Sequence, residues 1–266
     1  MDLGISPIFS AMVNEARKSI RIMASYKINF LFGMVAIAIS FLGISYVVGG
    51  GKPNPDVMAS MLVGYLLWYY VTMIVDDMGA TLIDEARAGT LEQMFISPNP
   101  IGFTFVGRVL GHLFLSSIQL LFVGGILIWS LKLPFQWSLD AIPVAMIALF
   151  GLFGFGFMLG GVSLIFKQVT SMLWVISNGL LFLNGSLVPA EQFPTWLLLI
   201  ARILPSTIGI SVLRSMLLNR LTISDVWNNG SLPLLLLHST AYLVVGWLML
   251  QWCIGYVKRH GTLGHY

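Results

Sequence analysis

Charged residues are scarce in this 266-residue sequence, which contains 14 Lys and Arg and 11 Asp and Glu. They make up 9% of the chain, whereas soluble domains carry about 25%. Hydrophobic residues account for 57%, and the mean hydropathy is +0.88. This composition cannot cover a water-facing surface, so it excludes a soluble or disordered chain and predicts an integral membrane protein. The net charge of +3 is too small to indicate a nucleic-acid partner.

The sequence has one cysteine, Cys253, which excludes an internal disulfide. A phosphate-binding Walker A loop requires Gly-Lys followed by Ser or Thr, but the only Gly-Lys pair, Gly51-Lys52, precedes Pro53. We therefore expect the chain not to hydrolyse ATP and to hold no catalytic residue, metal ion or cofactor of its own. We also expect no cleaved signal peptide, because no small-residue cleavage pattern follows the first long apolar run.

Long apolar runs are abundant. A membrane-spanning helix needs about 20 mostly apolar residues, and six runs fit: 28–48, 57–75, 103–131, 139–166, 169–188 and 232–257. The sequence therefore predicts an all-α polytopic membrane protein with six transmembrane helices in a single domain, residues 1–266. The even number of spans places both termini on one side.

The distribution of Lys and Arg predicts which side that is, because cytoplasmic loops carry an excess of these residues. With the termini inside, nine basic residues are cytoplasmic and five are outside. We therefore expect a multi-pass protein of the plasma (inner) membrane with cytoplasmic N and C termini.

Residues 5–23 precede the first span and have helical periodicity. Apolar residues including Phe9, Met12 and Ile20 share one face, whereas Arg17 and Arg21 share the other. This pattern predicts an amphipathic interfacial helix on the cytoplasmic leaflet of the bilayer. A solvated helix that merely tethers the first span is the alternative.

The segment between the last two predicted spans is neither a polar loop nor a span. Prolines divide it into two short apolar stretches, 196–204 and 208–218, which are too short to cross a bilayer. We therefore predict a short extracellular re-entrant helical hairpin at 189–220. The alternative is a kinked seventh span, which Arg202 and Arg214 would make costly, at about 2.5–3.5 kcal/mol per central charge.

Residues 76–100 form the predicted cytoplasmic connection after the second span. Five of the eleven acidic residues lie within 76–92, and Arg87 is the only basic residue there. Leu91, Met94 and Phe95 add apolar side chains. An acidic, partly apolar segment is suited to docking on another protein, whereas an ordinary solvated loop would have no reason to keep these apolar residues.

Two segments resemble the ABC type-2 transporter permeases, especially the drug-exporter branch. The first is Glu-Ala-Arg-Ala-Gly-Thr-Leu-Glu-Gln-Met-Phe-Ile-Ser-Pro at 85–98, followed by a long span. The second is Gly-Ser-Leu-Val-Pro-Ala-Glu-Gln-Phe-Pro at 185–194, continuing through Leu204-Pro205 and Leu213-Arg214-Ser215. The two segments occur in the order expected for the family, and the predicted topology matches along nearly the whole chain.

The resemblance implies a permease subunit that forms an export pathway as a homodimer or with a paralogue. A separate cassette ATPase would bind ATP and Mg and drive export from the cell. The residues that would couple the permease to this ATPase are Glu85, Arg87, Gly89, Thr90, Leu91, Glu92, Met94 and Phe95.

The resemblance also implies that the fifth span lines the pathway and that the hairpin forms an outer gate. The pathway candidates are Trp174, Asn178, Leu181, Phe182 and Asn184, and the gate candidates are Pro189, Glu191, Pro194, Pro205 and Arg214. A mainly apolar lining with a few amides suits a hydrophobic or amphiphilic substrate, such as a drug or lipid. Packing between helices would also explain these residues.

Other functions remain open. Export of a polysaccharide or glycolipid is one alternative, because Trp68, Tyr69 and Tyr70 could stack on sugars or else pack between helices. An ion-coupled secondary transporter commonly uses buried carboxylates, but none lies centrally in a predicted span. A membrane enzyme would need convergent catalytic groups, and His112 and His238 lie near opposite faces. A signalling subunit without cargo is a further alternative.

The fourth predicted span contains a glycine-rich stretch at 151–161. Glycines bind phosphate where backbone amides are exposed at the start of a helix, whereas glycines inside an apolar span allow close helix packing. We expect packing for Gly156 and Gly160, and also for Gly107 and Gly111 on the third span.

Overall fold

The computed structural model describes residues 5–87, 101–166 and 169–260. Within these ranges the chain forms α-helices, one short 3-10 turn and no strands. The helices are α1 (Ile5–Ser25), α2 (Lys27–Val48), α3 (Pro55–Arg87), α4 (Ile101–Ser130), α5 (Ala141–Ile165), α6 (Thr170–Leu183), α7 (Thr195–Ile203), α8 (Thr207–Asn219), α9 (Ile223–Asn228) and α10 (Ser231–His260); the 3-10 turn is Ala190–Gln192.

Among the helices that the structure describes, five are long and apolar enough to cross a membrane: α2, α3, α4, α5 and α10. The count becomes six if the bent pair of α7 and α8 is taken as one broken span. These helices confirm the predicted all-α polytopic membrane fold. The predicted span at 169–188 is helical only over the 14 residues of α6, which reach about 21 Å.

Helix α6 ends early because the chain turns away at Asn184 and Gly185. Gly185 has a φ of +80°, a left-handed conformation that glycine adopts without a steric penalty. The turn brings Ser186 against Gly64 of α3, toward the end of the helix bundle where α3 begins. Following the predicted topology, this end is called the outer end below.

Helix α1 covers the predicted interfacial segment, and its Arg17, Lys18 and Arg21 are exposed. The helix packs against the first part of α4. A methyl group added to Gly107 of α4 would lie 2.8 Å from Cα of Met12, so only glycine allows this approach. The expected close packing at Gly107 is confirmed, and its partner is the interfacial helix.

Helix α3 is the central helix of the fold. Each of the three apolar core clusters includes side chains from it. Met61 and Leu62 are fully buried near its outer end, and Ile74 and Met78 are fully buried further along. Helix α3 therefore packs on its neighbours along most of its membrane-spanning length.

Helices α5 and α10 form the most extensive helix pair, and glycines bring their backbones into direct contact. A methyl group added to Gly246 of α10 would overlap the backbone carbonyl of Gly154 on α5. Gly156 faces the other way, toward Ile74 and Met78 of α3. The glycine-rich stretch therefore packs α5 against two neighbours, as expected for Gly156.

Helices α7 and α8 form the two short helices predicted between the last two spans. They meet at an angle of 97° across a break of a few residues. With 9 residues, α7 is about 13 Å long and runs nearly perpendicular to α8. This angle is too large for a gently kinked continuous span, and the re-entrant course of the segment stays a prediction.

The contact between Gly154 and Gly246 predicts a large effect of one methyl group. We expect Gly246→Ala to lower the free energy of unfolding by about 1–3 kcal/mol, because α5 and α10 must separate. Gly255→Ala on the same helix is the matched control, since nothing lies within 4 Å of the added methyl group. Thermal unfolding of both variants in detergent measures the difference, and equal stability would contradict the proposed contact.

Candidate transport pathway and outer gate

The predicted coupling residues lie at the end of α3 and beyond it. Glu85 and Arg87 are in the last turn of α3, and the structure describes their backbone but not their side chains. Gly89, Thr90, Leu91, Glu92, Met94 and Phe95 lie outside the described residues. The coupling role of these eight residues therefore stays a prediction.

Helix α3 is long enough to extend from the outer end of the bundle to the start of the predicted coupling segment. The helix has 33 residues, which correspond to about 50 Å. Its apolar, membrane-crossing part ends at Asp76, and the helix continues without a break to Arg87. One continuous helix therefore joins Glu85 and Arg87 to the outer end of the bundle.

Helix α6 presents one exposed face that contains three of the five pathway candidates. Trp174 is 67% exposed and Phe182 is 64% exposed, and Asn178 lies between them at the same helical spacing. The Asn178 side-chain amide donates a hydrogen bond to the carbonyl oxygen of Trp174 at 2.8 Å. An amide on an apolar span is costly in lipid, so this face favours contact with protein or with a pathway.

The other two pathway candidates are buried within the helix bundle. Leu181 is buried in the core cluster that α2, α3 and α4 share, and Asn184 is completely buried. The buried side of α6 also accepts a hydrogen bond from Trp68 of α3, whose Nε1 lies 2.6 Å from the carbonyl oxygen of Ser177. This side anchors α6 to the central helix and leaves the Trp174 face outward.

Asn184 organises the loop that follows α6. Its Nδ2 donates to Ser206 Oγ at 2.8 Å, and its Oδ1 accepts from the backbone amide of Ser186 at 2.9 Å. Ser186 Oγ in turn donates to the carbonyl oxygen of Gly64 on α3 at 3.0 Å. The three side chains are completely buried, so this chain of hydrogen bonds ties the loop to α3 and to the start of α8.

Arg214 of α8 binds the same loop and the same helix through its guanidinium group. Nε and Nη2 donate to the carbonyl oxygen of Ser60 on α3 at 3.1 and 2.9 Å. Nη2 also donates to the carbonyl oxygen of Gly185 at 3.0 Å. The planar fork of arginine donors suits such paired contacts, which the single ammonium group of lysine cannot reproduce.

The remaining gate candidates shape the loop. Pro189 precedes the 3-10 turn, Pro194 precedes α7, and Pro205 is buried at the bend between α7 and α8. Glu191 is exposed and accepts a hydrogen bond from Ser211 Oγ of α8. The structure thus brings all five predicted gate residues into the loop and the bent pair. Ser211 and Arg214 of α8 hold the loop at Glu191 and Gly185.

The three neighbouring aromatics on α3 pack within the protein. Trp68, Tyr69 and Tyr70 are each partly buried against the apolar core. Tyr70 Oη donates a hydrogen bond to Ser117 Oγ of α4 at 2.8 Å. These contacts agree with the helix-packing interpretation of the three residues.

Sequence reasoning did not identify the α3 residues that bind Arg214 and Ser186, or the α1 residue that lies near Arg108. Ser60 and Gly64 offer only backbone oxygens, and the sole signal for Gly64 is a glycine inside an apolar helix. Glu15 of α1 lies 3.7 Å from Arg108 of α4, a pairing between two helices that the sequence analysis did not consider. Among the residues that the structure describes, no three His, Cys, Asp or Glu side chains could hold a metal ion.

The Arg214 contacts predict that lysine will not substitute for arginine. We expect Arg214→Lys to lower the free energy of unfolding by about 2 kcal/mol, because buried carbonyl oxygens lose charged hydrogen bonds. Arg202→Lys in the last turn of α7, where the side chain is exposed, is the control and should leave stability unchanged. Thermal unfolding measures both variants, and an unchanged Arg214→Lys protein would show that the guanidinium contacts do not stabilise the loop.

Comparison with known proteins identifies similar sequences. The family described as ABC-2 type transporter matches residues 8–218. A probable multidrug ABC transporter permease YbhR from Escherichia coli K12 is 28% identical over 158 residues. That match covers 59% of this chain and 42% of the relative, so it spans less than half of the relative's length. The protein of the same name from Escherichia coli O157:H7 matches equally well.

Proposed function

Because the chain belongs to the ABC-2 type transporter family, we propose that it is the permease subunit of an ATP-driven exporter. It would move a hydrophobic or amphiphilic substrate, such as a drug or lipid, out of the cell. A separate cassette ATPase would bind ATP and Mg and supply the energy. The observation that carries the choice of substrate is the exposed apolar face of α6 with its single amide.

Helix α3 supplies a mechanical connection for this function. Movement of the ATPase would act on residues 76–100 and hence on the end of α3. The carbonyl oxygen of Gly64 in the outer part of α3 accepts a hydrogen bond from Ser186 of the loop, and that of Ser60 accepts from Arg214 of α8. A tilt or shift of α3 would therefore move the proposed outer gate together with Arg214.

The chemistry of the α6 face supports an apolar cargo. Trp174, Val175 and Phe182 offer large apolar surfaces, and Asn178 adds one polar group. Binding sites for drug-sized molecules are mostly apolar and contain a small number of polar groups that fix orientation. The multidrug description of the similar permease supports the same class of substrate.

A second subunit completes the proposed pathway. One α6 presents an open face, so a closed channel requires a facing surface. We propose that a second copy or a paralogue provides it and that the α6 faces meet across the pathway. The N and C termini would lie in the cytoplasm of a plasma-membrane protein, in agreement with the distribution of Lys and Arg.

Coupling can be tested by changing residues of the predicted coupling segment. We expect Leu91→Asp and Glu85→Lys to abolish co-purification of a cassette ATPase and ATP-dependent export of an amphiphilic dye from cells. The reason is that each change alters the surface proposed to dock the ATPase. Leu139→Asp is the matched control, because Leu139 is an exposed leucine in the loop before α5, at the outer end.

Protein yield and thermal stability must match the wild type in both coupling variants and in the control, so that folding defects are excluded. Normal ATPase recovery and dye export in both Leu91→Asp and Glu85→Lys would refute the coupling assignment. Dye export that persists after ATP depletion would instead favour a secondary transporter.

The proposed subunit arrangement can be tested by cysteine cross-linking. The native Cys253 is buried, so it provides a silent background. We expect Trp174→Cys to form a covalent dimer with a short bifunctional reagent in membranes, because the two α6 faces would lie opposite each other. Trp252→Cys is the control, since Trp252 on α10 is 64% exposed, which is close to the 67% of Trp174. Equal cross-linking at both positions would contradict the arrangement.

A further inference from the structure

An apolar cavity lies on the surface of the helix bundle, between α4, α5 and α10. Its volume is about 650 Å³, and every residue that lines it is apolar. Phe153 and Phe157 of α5 form a buried floor, whereas Leu110 of α4 and Val244 and Leu248 of α10 form an exposed rim. None of the predicted pathway or gate residues belongs to this groove.

The groove follows from the way the three helices pack. Gly154 and Gly246 bring α5 and α10 into backbone contact, which leaves no room between them. Helix α4 meets α10 where the ring centroids of Phe103 and Trp247 lie 5.5 Å apart. The space between α4 and α10 is therefore open to the outside above the α5 floor.

The position of the groove identifies the medium that reaches it. Its rim lies within the membrane-crossing parts of α4 and α10, so bilayer hydrocarbon surrounds it. A wholly apolar lining offers no partner for a polar ligand, whose burial would be unfavourable. A flexible hydrocarbon chain can fill such a narrow space with favourable van der Waals contacts.

A basic residue lies in line with the groove at the end of α10. Arg259 is exposed and is eleven residues from Leu248, which corresponds to about three helical turns and the same face. Exposed Trp252 and Tyr256 lie between them with ring centroids 5.8 Å apart. Aromatic and basic residues in this order are typical of the region where a helix reaches lipid headgroups.

We propose that the groove binds an anionic glycerophospholipid from the membrane leaflet on the side of α1. One acyl chain occupies the space over Phe153 and Phe157, and the phosphate lies at Arg259. The bound lipid completes the surface that α4, α5 and α10 leave open. The site is separate from the proposed pathway, and its occupation does not depend on transport.

Acyl-chain binding is tested by filling the groove with a larger side chain. Native mass spectrometry of the purified protein titrated with phosphatidylglycerol measures how many lipids each variant retains. Val244→Trp should retain at least about threefold less lipid than the wild type. Val245→Trp is the matched control, because both valines are 51% exposed on α10 but only Val244 lines the groove.

A second pair of variants covers the case in which Val244→Trp does not fold. Leu248→Trp changes the rim, and Leu237→Trp changes an exposed leucine on α10 away from the groove. We expect lipid loss only for Leu248→Trp. Equal lipid retention within the folded pairs would overturn the proposal. The proposal would also be overturned if the rim variants lost the dimer while lipid binding stayed unchanged. That result would assign the groove to contact with a second copy of the chain.

The headgroup contact has its own test. Arg259→Gln should reduce the preference for phosphatidylglycerol over phosphatidylcholine by about fivefold, because one cation near the membrane surface is lost. Arg220→Gln is the control, since Arg220 is an exposed cation beyond the end of α8, at the outer end. An unchanged preference in Arg259→Gln would refute the assignment of the phosphate to Arg259.

Discussion

Backbone that leaves a helix at the membrane needs hydrogen-bond partners within the protein, because lipid supplies none. The loop after α6 meets this constraint through buried side chains. Asn184 binds the amide of Ser186, and Arg214 binds the carbonyl oxygens of Gly185 and Ser60. Because Arg214 lies on α8 and binds both the loop and α3, the contact that satisfies Gly185 also fixes the bent pair against the central helix. Together with the bond from Trp68 to Ser177, these contacts hold α6 with its Trp174 face outward.

Much of the fold could be predicted because it depends on local sequence patterns. Apolar runs identified the long helices, the period of 5–23 identified α1, and prolines identified the break between α7 and α8. The pairing of distant residues could not be predicted in this way. No local sequence pattern indicates that Gly246 faces Gly154 or that Glu15 lies near Arg108. The early end of α6 depends on the turn at Gly185, which a hydrogen bond from Arg214 of α8 stabilises.

The candidate site was predictable to a smaller extent. Helical spacing places Trp174, Asn178 and Phe182 on one face, but spacing alone does not tell an exposed face from a buried one. Leu181 and Asn184 therefore entered the same prediction although the core surrounds them. For Arg214, the sequence indicated a cation in an apolar segment. Its partners are backbone oxygens of residues 29 and 154 positions away, which no side-chain pattern can reveal.

The glycine contact between α5 and α10 also affects how the bundle can move. Where the backbones of α5 and α10 touch at Gly154 and Gly246, no flexible side chain lies between the helices, so we expect the pair to behave as one stiff unit. Central helix α3 instead places Met58, Met61 and Met78 in the core, and methionine side chains readily adapt to changes in their surroundings. Sliding is therefore easier along α3 than between α5 and α10. The paired helices would act as a fixed frame against which the central helix shifts.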